Sequence, residues 1–365
     1  MLVERLSASL PDYQATNSST MQSVVVFLAV LVGAAFANPM ILSPDDVKLQ
    51  NRDISATEYL KRMFEQSPKL LYSPIDVSSQ GDVIDMLPAL GLNEACLIAE
   101  QVNLRQILLE LSSSVTLCLP SDEAVRRWRE ELPNRLKPDL ASLKQLVKAW
   151  IIPGMIRSTD ISNNQKVQSL NGAKLRFNVY EEVKKIVTVN GARIIDADRM
   201  ASNGLIHVVG KVIYPLPVGN VIETLGDNRA FSIIVDLLKQ AGLQEELEIS
   251  DPISVLVPTN SAFRALPSGV LDDLKREKSK LQNLLKYHVI SDVRYSASLS
   301  SGQRIMASQG DEISVSIENG KIVLNKAQDR SEASRVIQAD IPTTNGVIHV
   351  IDHVLIPSQK HYILV

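Results

Sequence analysis

The chain has 365 residues, of which 45% are hydrophobic and 22% charged, a globular composition with room for two ordinary domains plus extensions. With 38 basic and 41 acidic residues the net charge is −3, and no long Lys/Arg run interleaved with aromatics occurs. Nucleic acid is therefore not an expected partner.

The first element in chain order is the apolar run Val24 to Val32, followed by Gly33-Ala-Ala-Phe-Ala37 and Asn38-Pro39. A short apolar core ending in Ala-x-Ala predicts a secretory signal peptide over residues 1–37, cleaved after Ala37, with Met21 as an alternative start. The uncharged stretch from Val24 to Ala37 would rise only about 21 Å as a helix, short of the roughly 30 Å hydrocarbon core. No membrane span is expected in the mature chain, and the expected location is the extracellular space or matrix. The sequon Asn17-Ser18-Ser19 would leave with the leader, so N-glycans are not expected.

Residues 38–80 read as a polar lead-in punctuated by Pro39, Pro44, Pro68 and Pro74, with one short helix around Ala56 to Gln66. From there the sequence says one thing twice. Thr116-Leu-Cys-Leu-Pro-Ser-Asp-Glu-Ala124 returns as Ser254-Val-Leu-Val-Pro-Thr-Asn-Ser-Ala262, and Asn203-Gly-Leu-Ile-His-Val-Val209 as Asn345-Gly-Val-Ile-His-Val-Ile351. Pro120 and Pro258 differ by 258 − 120 = 138, and Asn203 and Asn345 by 345 − 203 = 142, so copy two carries about four extra residues. A period of this length belongs to whole domains rather than to solenoid units. The expected units are a first domain over 81–216, a second over 217–357 and a tail over 358–365. The short, Pro-bearing junction Pro215-Leu-Pro217 should hold the copies close with restricted relative motion.

Within copy two, Phe231, Ile234, Val235 and Leu238 fall at i, i+3, i+4 and i+7, an amphipathic helix closed by Gly242. Val255-Leu-Val257 reads as a buried strand stopped by Pro258, after which Thr259, Asn260 and Ser261 can cap the next helix. A further helix carries Leu281, Leu284 and Leu285 into Tyr287-His288. Ile313, Val315 and Ile317 alternate with serines, and Asn319-Gly320 then predicts a two-residue hairpin into Lys321 to Leu324. Copy one repeats this in weaker form, with Leu175, Phe177 and Val179 followed by Val187-Thr-Val-Asn-Gly191. Helices first and antiparallel strands later make each copy α+β.

Val255-Leu-Val-Pro-Thr-Asn-Ser-Ala-Phe263, Tyr287-His288, Val187-Thr-Val-Asn-Gly-Ala-Arg193 and Asn345 to Leu355 resemble the conserved blocks of fasciclin (FAS1) domains, in the family's order, across both copies. The resemblance implies two tandem FAS1-like domains, each a β-sheet wedge flanked by helices. It also implies a class of secreted or surface-anchored adhesion and matrix proteins, with extracellular matrix proteins or cell-surface receptors such as integrins as partners. In that family, integrin-dependent adhesion is assigned to a Tyr-His pair and to an Asp-Ile pair; here they match Tyr287-His288 and Asp340-Ile341. Copy one has Ala149-Trp150 and Asp198-Arg199 instead, while it keeps Ile152-Pro153-Gly154 where copy two has Ile290-Ser291-Asp292. Copy two is thus the expected binding copy.

An adhesive role would require Tyr287 and His288 to be exposed, whereas a Tyr and a His at a helix end beside an apolar stripe usually pack inward. His207 and His349, each within an aliphatic run, read as core histidines. His349 and His353 on one strand would stand about 13 Å apart, too far to share an ion, so no metal and no cofactor are expected. Cys96 and Cys118 invite a disulfide in an exported protein, but copy two has Val235 and Leu256 at those places, which equally suits free, buried thiols. Neither Gly-x-Ser-x-Gly, His-Glu-x-x-His nor a phosphate-cradling glycine loop is present, so no enzymatic activity is expected. The alternative to adhesion is carriage of a small hydrophobic ligand, which requires an enclosed apolar pocket of at least a few hundred Å³.

Overall fold

The computed structural model describes residues 81–111, 113–131, 138–182, 185–325 and 333–357. The expected leader, lead-in helix and tail lie outside the described residues. What remains is two seven-stranded sheets, one per copy, with helices preceding the later strands in each.

In copy one the strands are β1 (Val115–Pro120), β2 (Ile151–Pro153), β3 (Gln165–Gln168), β4 (Lys174–Tyr180), β5 (Ile186–Val189), β6 (Ala192–Ala201) and β7 (Gly204–Val209), arranged in the order β2-β1-β7-β6-β5-β4-β3. In copy two β8 (Ile253–Pro258), β9 (Val289–Ile290), β10 (Arg304–Met306), β11 (Glu312–Glu318), β12 (Lys321–Leu324), β13 (Ser334–Thr343) and β14 (Gly346–Ile351) repeat that order position by position. The only parallel pairs in these sheets are β1 with β7 and β8 with β14. All four of those strands are buried along their whole length, as strands covered on both faces must be. This is why Val255-Leu-Val257 and its counterparts show continuous rather than alternating hydrophobicity.

The repeated blocks are fold devices. Ser121 and Thr259 each accept a hydrogen bond from the amide three residues on, capping the helix that follows the strand-ending proline. Gly204 and Gly346 lie directly opposite Val115 and Ile253, where an added Cβ would collide with the facing carbonyl oxygen. Asn345 accepts from Val221 N at 3.0 Å and donates to Leu247 O at 2.8 Å, tying the start of its copy to the end; Asn203 does the same for Val83 N at 2.9 Å. The helix Ser232–Ala241 ends on Gly242 at φ 69°, where the left-handed C-cap favours glycine.

One expected correspondence is corrected. Asn319-Gly320 joins β11 to β12, but Asn190-Gly191 joins β5 to β6, the next hairpin along. The partner of Asn190 is Asn325: both have positive φ, and each accepts the amide of the facing strand, from Arg176 and Ser314 respectively. Copy two has three fewer residues than copy one in the first connection and seven more in the second. The net insertion of four therefore conceals two opposite changes.

Candidate functional site

Tyr287 ends the helix Lys278–Tyr287 and His288 follows it into β9; they are 3% and 2% exposed. The Tyr287 hydroxyl donates to Glu312 O at 3.1 Å and accepts from Asn325 Nδ2 at 2.7 Å. His288 Nδ1 donates to Leu284 O at 2.8 Å, and Nε2 accepts from Leu355 N at 3.0 Å. The ring is neutral in this arrangement, and its complete burial pushes its pKa down to about 4. In copy one Trp150 fills the same place, 1% exposed, with its indole N–H directed at Ile213 O at 3.4 Å. The packed helix end leaves neither Tyr287 nor His288 open to a partner, because every polar atom on the two side chains is committed to the surrounding chain.

Asp340 sits in a bulge of β13 at φ 62°, and Asp198 in the matching bulge of β6 at φ 59°. Asp340 accepts from Ser296 N at 2.7 Å and Ser296 Oγ at 2.5 Å; Asp198 accepts from Ser158 N at 2.8 Å and from Ser158 Oγ. The bulge amides, in turn, donate to Nδ1 of His349 and His207 at 3.3 and 3.2 Å. Nε2 of these rings donates to Arg294 O and Ile156 O, each at 2.8 Å. Burial lowers the pKa of both histidines, which suits the neutral tautomer this pattern needs. Ser254 and Thr116 complete the device by bridging the first and third residues of the segment that follows β9 or β2, Asp292 and Arg294 or Gly154 and Ile156. Asp340 is thus brought together with His349 and Ser296, while Ile341 beside it is half-buried in the helix-side core. Sequence reasoning read the histidines as core residues but missed the serines, whose only signal was the equal spacing of Ser158 and Ser296 from Thr116 and Ser254.

The segment Asp292–Ser298 of copy two lies against the sheet of copy one. Tyr180 OH donates to Val293 O at 2.9 Å and accepts from Tyr295 N at 3.3 Å. Tyr295 is 1% exposed and covers Gly191, where a Cβ would come within 2.5 Å of its ring. Arg294 pairs with Glu182 and, at 3.0 Å, with Asp292, and its guanidinium lies 5.8 Å above the Tyr180 ring. Nearby, the buried Arg176 pairs with Asp251 at 2.6 Å, Lys166 joins the same carboxylate, and Asn164 donates to Asp292 at 3.2 Å. Lys211, just beyond β7, approaches Asp340 at 3.5 Å. None of Arg176, Tyr180, Asp251, Arg294 or Tyr295 has its own residue type at the matching position of the other copy.

Cys96 and Cys118 are free thiols. Cys118 lies in the buried strand β1, where desolvation pushes its pKa up to about 12, so it behaves as a small hydrophobe. A depression of about 580 Å³ is lined by Ile161, Asn163, Val179, Glu181, Glu182 and Lys185; three of these six side chains are charged, unlike an enclosed apolar ligand pocket. Among the described residues no group of three or more His, Cys, Asp or Glu is placed to hold a metal ion, and no helix is long and apolar enough to cross a membrane.

The model of the fasciclin domain matches residues 91–215 and again 229–357. The transforming growth factor-beta-induced protein ig-h3 of Sus scrofa is 28% identical over 315 residues, 85% of this chain and 41% of that protein. Periostin of Homo sapiens is 29% identical over 263 residues, 70% of this chain and 30% of its own length. Protein sll1483 of a Synechocystis strain is 37% identical over 139 residues, 38% of this chain and 73% of that protein. This chain therefore spans less than half the length of the two mammalian relatives. A solved FAS1 domain pair from the insect cell adhesion molecule Fasciclin I covers 74% of this chain and 98% of its own, at 21% identity and a TM-score of 0.36.

Proposed function

The chain belongs to the fasciclin domain family, and from that membership we propose that it is an extracellular adhesion or matrix protein that works by binding other proteins, with integrin-type receptors engaging its second copy. The observation that carries this reading is the paired family match over residues 91–215 and 229–357. The leader expected over residues 1–37 supports export. The use made of the buried polar groups supports binding over chemistry: His207, His288 and His349 each bond two backbone groups, and the family indicated is not an enzymatic one.

Tyr287, His288, Asp340 and Ile341 enter the proposal as the frame of the binding copy. The first two fix the helix end and β9, and Asp340 fixes the bulge and the segment after β9, so together they set the shape of the surface a receptor meets. Carriage of a hydrophobic ligand is the weaker reading, since the depression beside Val179 carries Glu181, Glu182 and Lys185 on its wall. The proposal is tested by cell attachment to the immobilised full chain, with and without integrin-blocking reagents. Blockable attachment that weakens in Ile341→Ala or Tyr287→Phe protein retaining native circular dichroism supports it. Attachment of undiminished strength in both variants would reject the copy-two site.

A further inference from the structure

Copy two uses one short segment for two purposes. On its inner side, Asp292–Ser298 is anchored by Ser254, by the His349 ring at Arg294 O, and by Asp340 at Ser296. On its outer side the same residues make the joint with copy one, through Val293 O and Tyr295 N to Tyr180, Arg294 to Glu182, and Tyr295 over Gly191. Copy one has the same inner anchors for Gly154–Ser158, but there Met155 and Arg157 are exposed. Only in copy two, then, does the histidine device stand behind an interdomain contact.

His349 fits its place only while neutral. Nδ1 must accept the Asp340 amide while Nε2 donates to Arg294 O; a proton added at Nδ1 turns that acceptor into a donor facing a donor. The charged groups around the ring are Asp340 on β13, Lys211 from the end of copy one, and Arg294, whose guanidinium is directed away to Glu182 and Asp292. On the β8 side its neighbour is Leu256. An imidazolium would draw the Asp340 carboxylate from Ser296 and Lys211 toward itself. The bulge at φ 62° and the segment after β9 would shift together. Opening also lets water reach Asn178 Oδ1, Thr188 Oγ1 and Asn190 Nδ2 on the copy-one face, buried atoms without a partner among the described residues.

We propose that His349 makes the joint between the two copies acid-sensitive: on taking up a proton it releases Asp292–Ser298 from the sheet of copy one, while both sheets stay folded. The direction of the His349 shift, downward from 6.5 with burial as the main cause, places the release in the acid range below the ordinary histidine pKa.

Hydrogen exchange of the full chain, corrected for intrinsic rates, tests this at about pH 7.5 and about pH 5. The expected result is a loss of protection of about tenfold or more in peptides covering 292–298 and 174–190, with β1, β7, β8 and β14 remaining the more protected at both pH values. Unchanged protection of 292–298, or exchange there no faster than in β8 and β14 at pH 5, would overturn the proposal. Two variants keep the test independent of any misfolding at His349 itself. Lys211→Met removes a cation that opposes the imidazolium in the closed joint, so the closed state tolerates the proton better and the acid-driven loss at 292–298 must shrink; a loss that grows contradicts the mechanism. Tyr180→Phe removes the hydroxyl that holds Val293 and Tyr295, so 292–298 must lose protection already at neutral pH, and full protection there would contradict the joint as described.

Discussion

Acidification should destabilise copy two through His288, and the size of the effect follows from the structure. The ring accepts Leu355 N–H and donates to Leu284 O inside a fully buried site, so its pKa falls from 6.5 to about 4. A base whose folded pKa is depressed binds fewer protons folded than unfolded between those two values. Its contribution is therefore intact above pH 6.5 and declines as pH falls toward the folded pKa, below which no further loss occurs. Linkage between 6.5 and about 4 gives a loss of about 2 kcal/mol by pH 5 and about 3 kcal/mol at still lower pH. The assay is denaturant unfolding of the full chain at pH 7 and pH 5, following copy two, for the native sequence and for His288→Leu. The variant loses about 1 to 3 kcal/mol at pH 7 from the unpaired Leu355 amide, but its decline toward pH 5 should be about 2 kcal/mol shallower. Equal pH slopes would refute the reasoning, since His207 and His349 are present in both proteins and cancel in the comparison.

Other outcomes follow from the same structure. Gly204→Ala and Gly346→Ala each drive a Cβ into the facing carbonyl of a parallel pair, and unfolding of the affected copy should lose about 3 kcal/mol or more; a loss below about 1 kcal/mol would show that the strands can separate. Gly191→Ala, at φ 78° and against Tyr295, should leave copy two folded by circular dichroism yet raise exchange at 292–298. Asp251→Ala strands the buried Arg176 guanidinium and should cost about 2 kcal/mol in denaturant unfolding, below the range for wholly buried pairs because Asp251 is partly exposed. Cys118 should resist alkylation in the native protein and react only on unfolding, as its thiol pKa of about 12 implies.

Much of the fold was legible because it depends on local chemistry written twice. A proline after a buried strand, a hydroxyl cap, and Asn-Gly before another buried strand are short-range signals, and the repeat supplied an internal control for each. The hairpin correspondence failed for a physical reason: Asn190 and Asn325 both adopt positive φ and bond the facing strand, but in copy two the motif Asn-Gly occurs at a different turn, and two length changes nearly cancel. The joint between copies was legible only as a short Pro-bearing connection. Its residues, Tyr180 with Val293 and Tyr295, or Arg176 with Asp251, are separated by 75 to 115 positions, and nothing in a single sequence pairs them. The Tyr-His pair was legible as a family feature. Its burial was expected from the apolar stripe beside it, but its partners Glu312, Asn325 and Leu355, which lie 25 to 67 positions away, were not.

The central claim, that this fasciclin-domain chain acts by binding at the cell exterior, is tested most directly by attachment of integrin-bearing cells to surfaces coated with the purified full chain. The account predicts dose-dependent attachment that integrin-blocking reagents abolish. Attachment no greater than to an inert protein coat, from a chain shown to be folded, would contradict it.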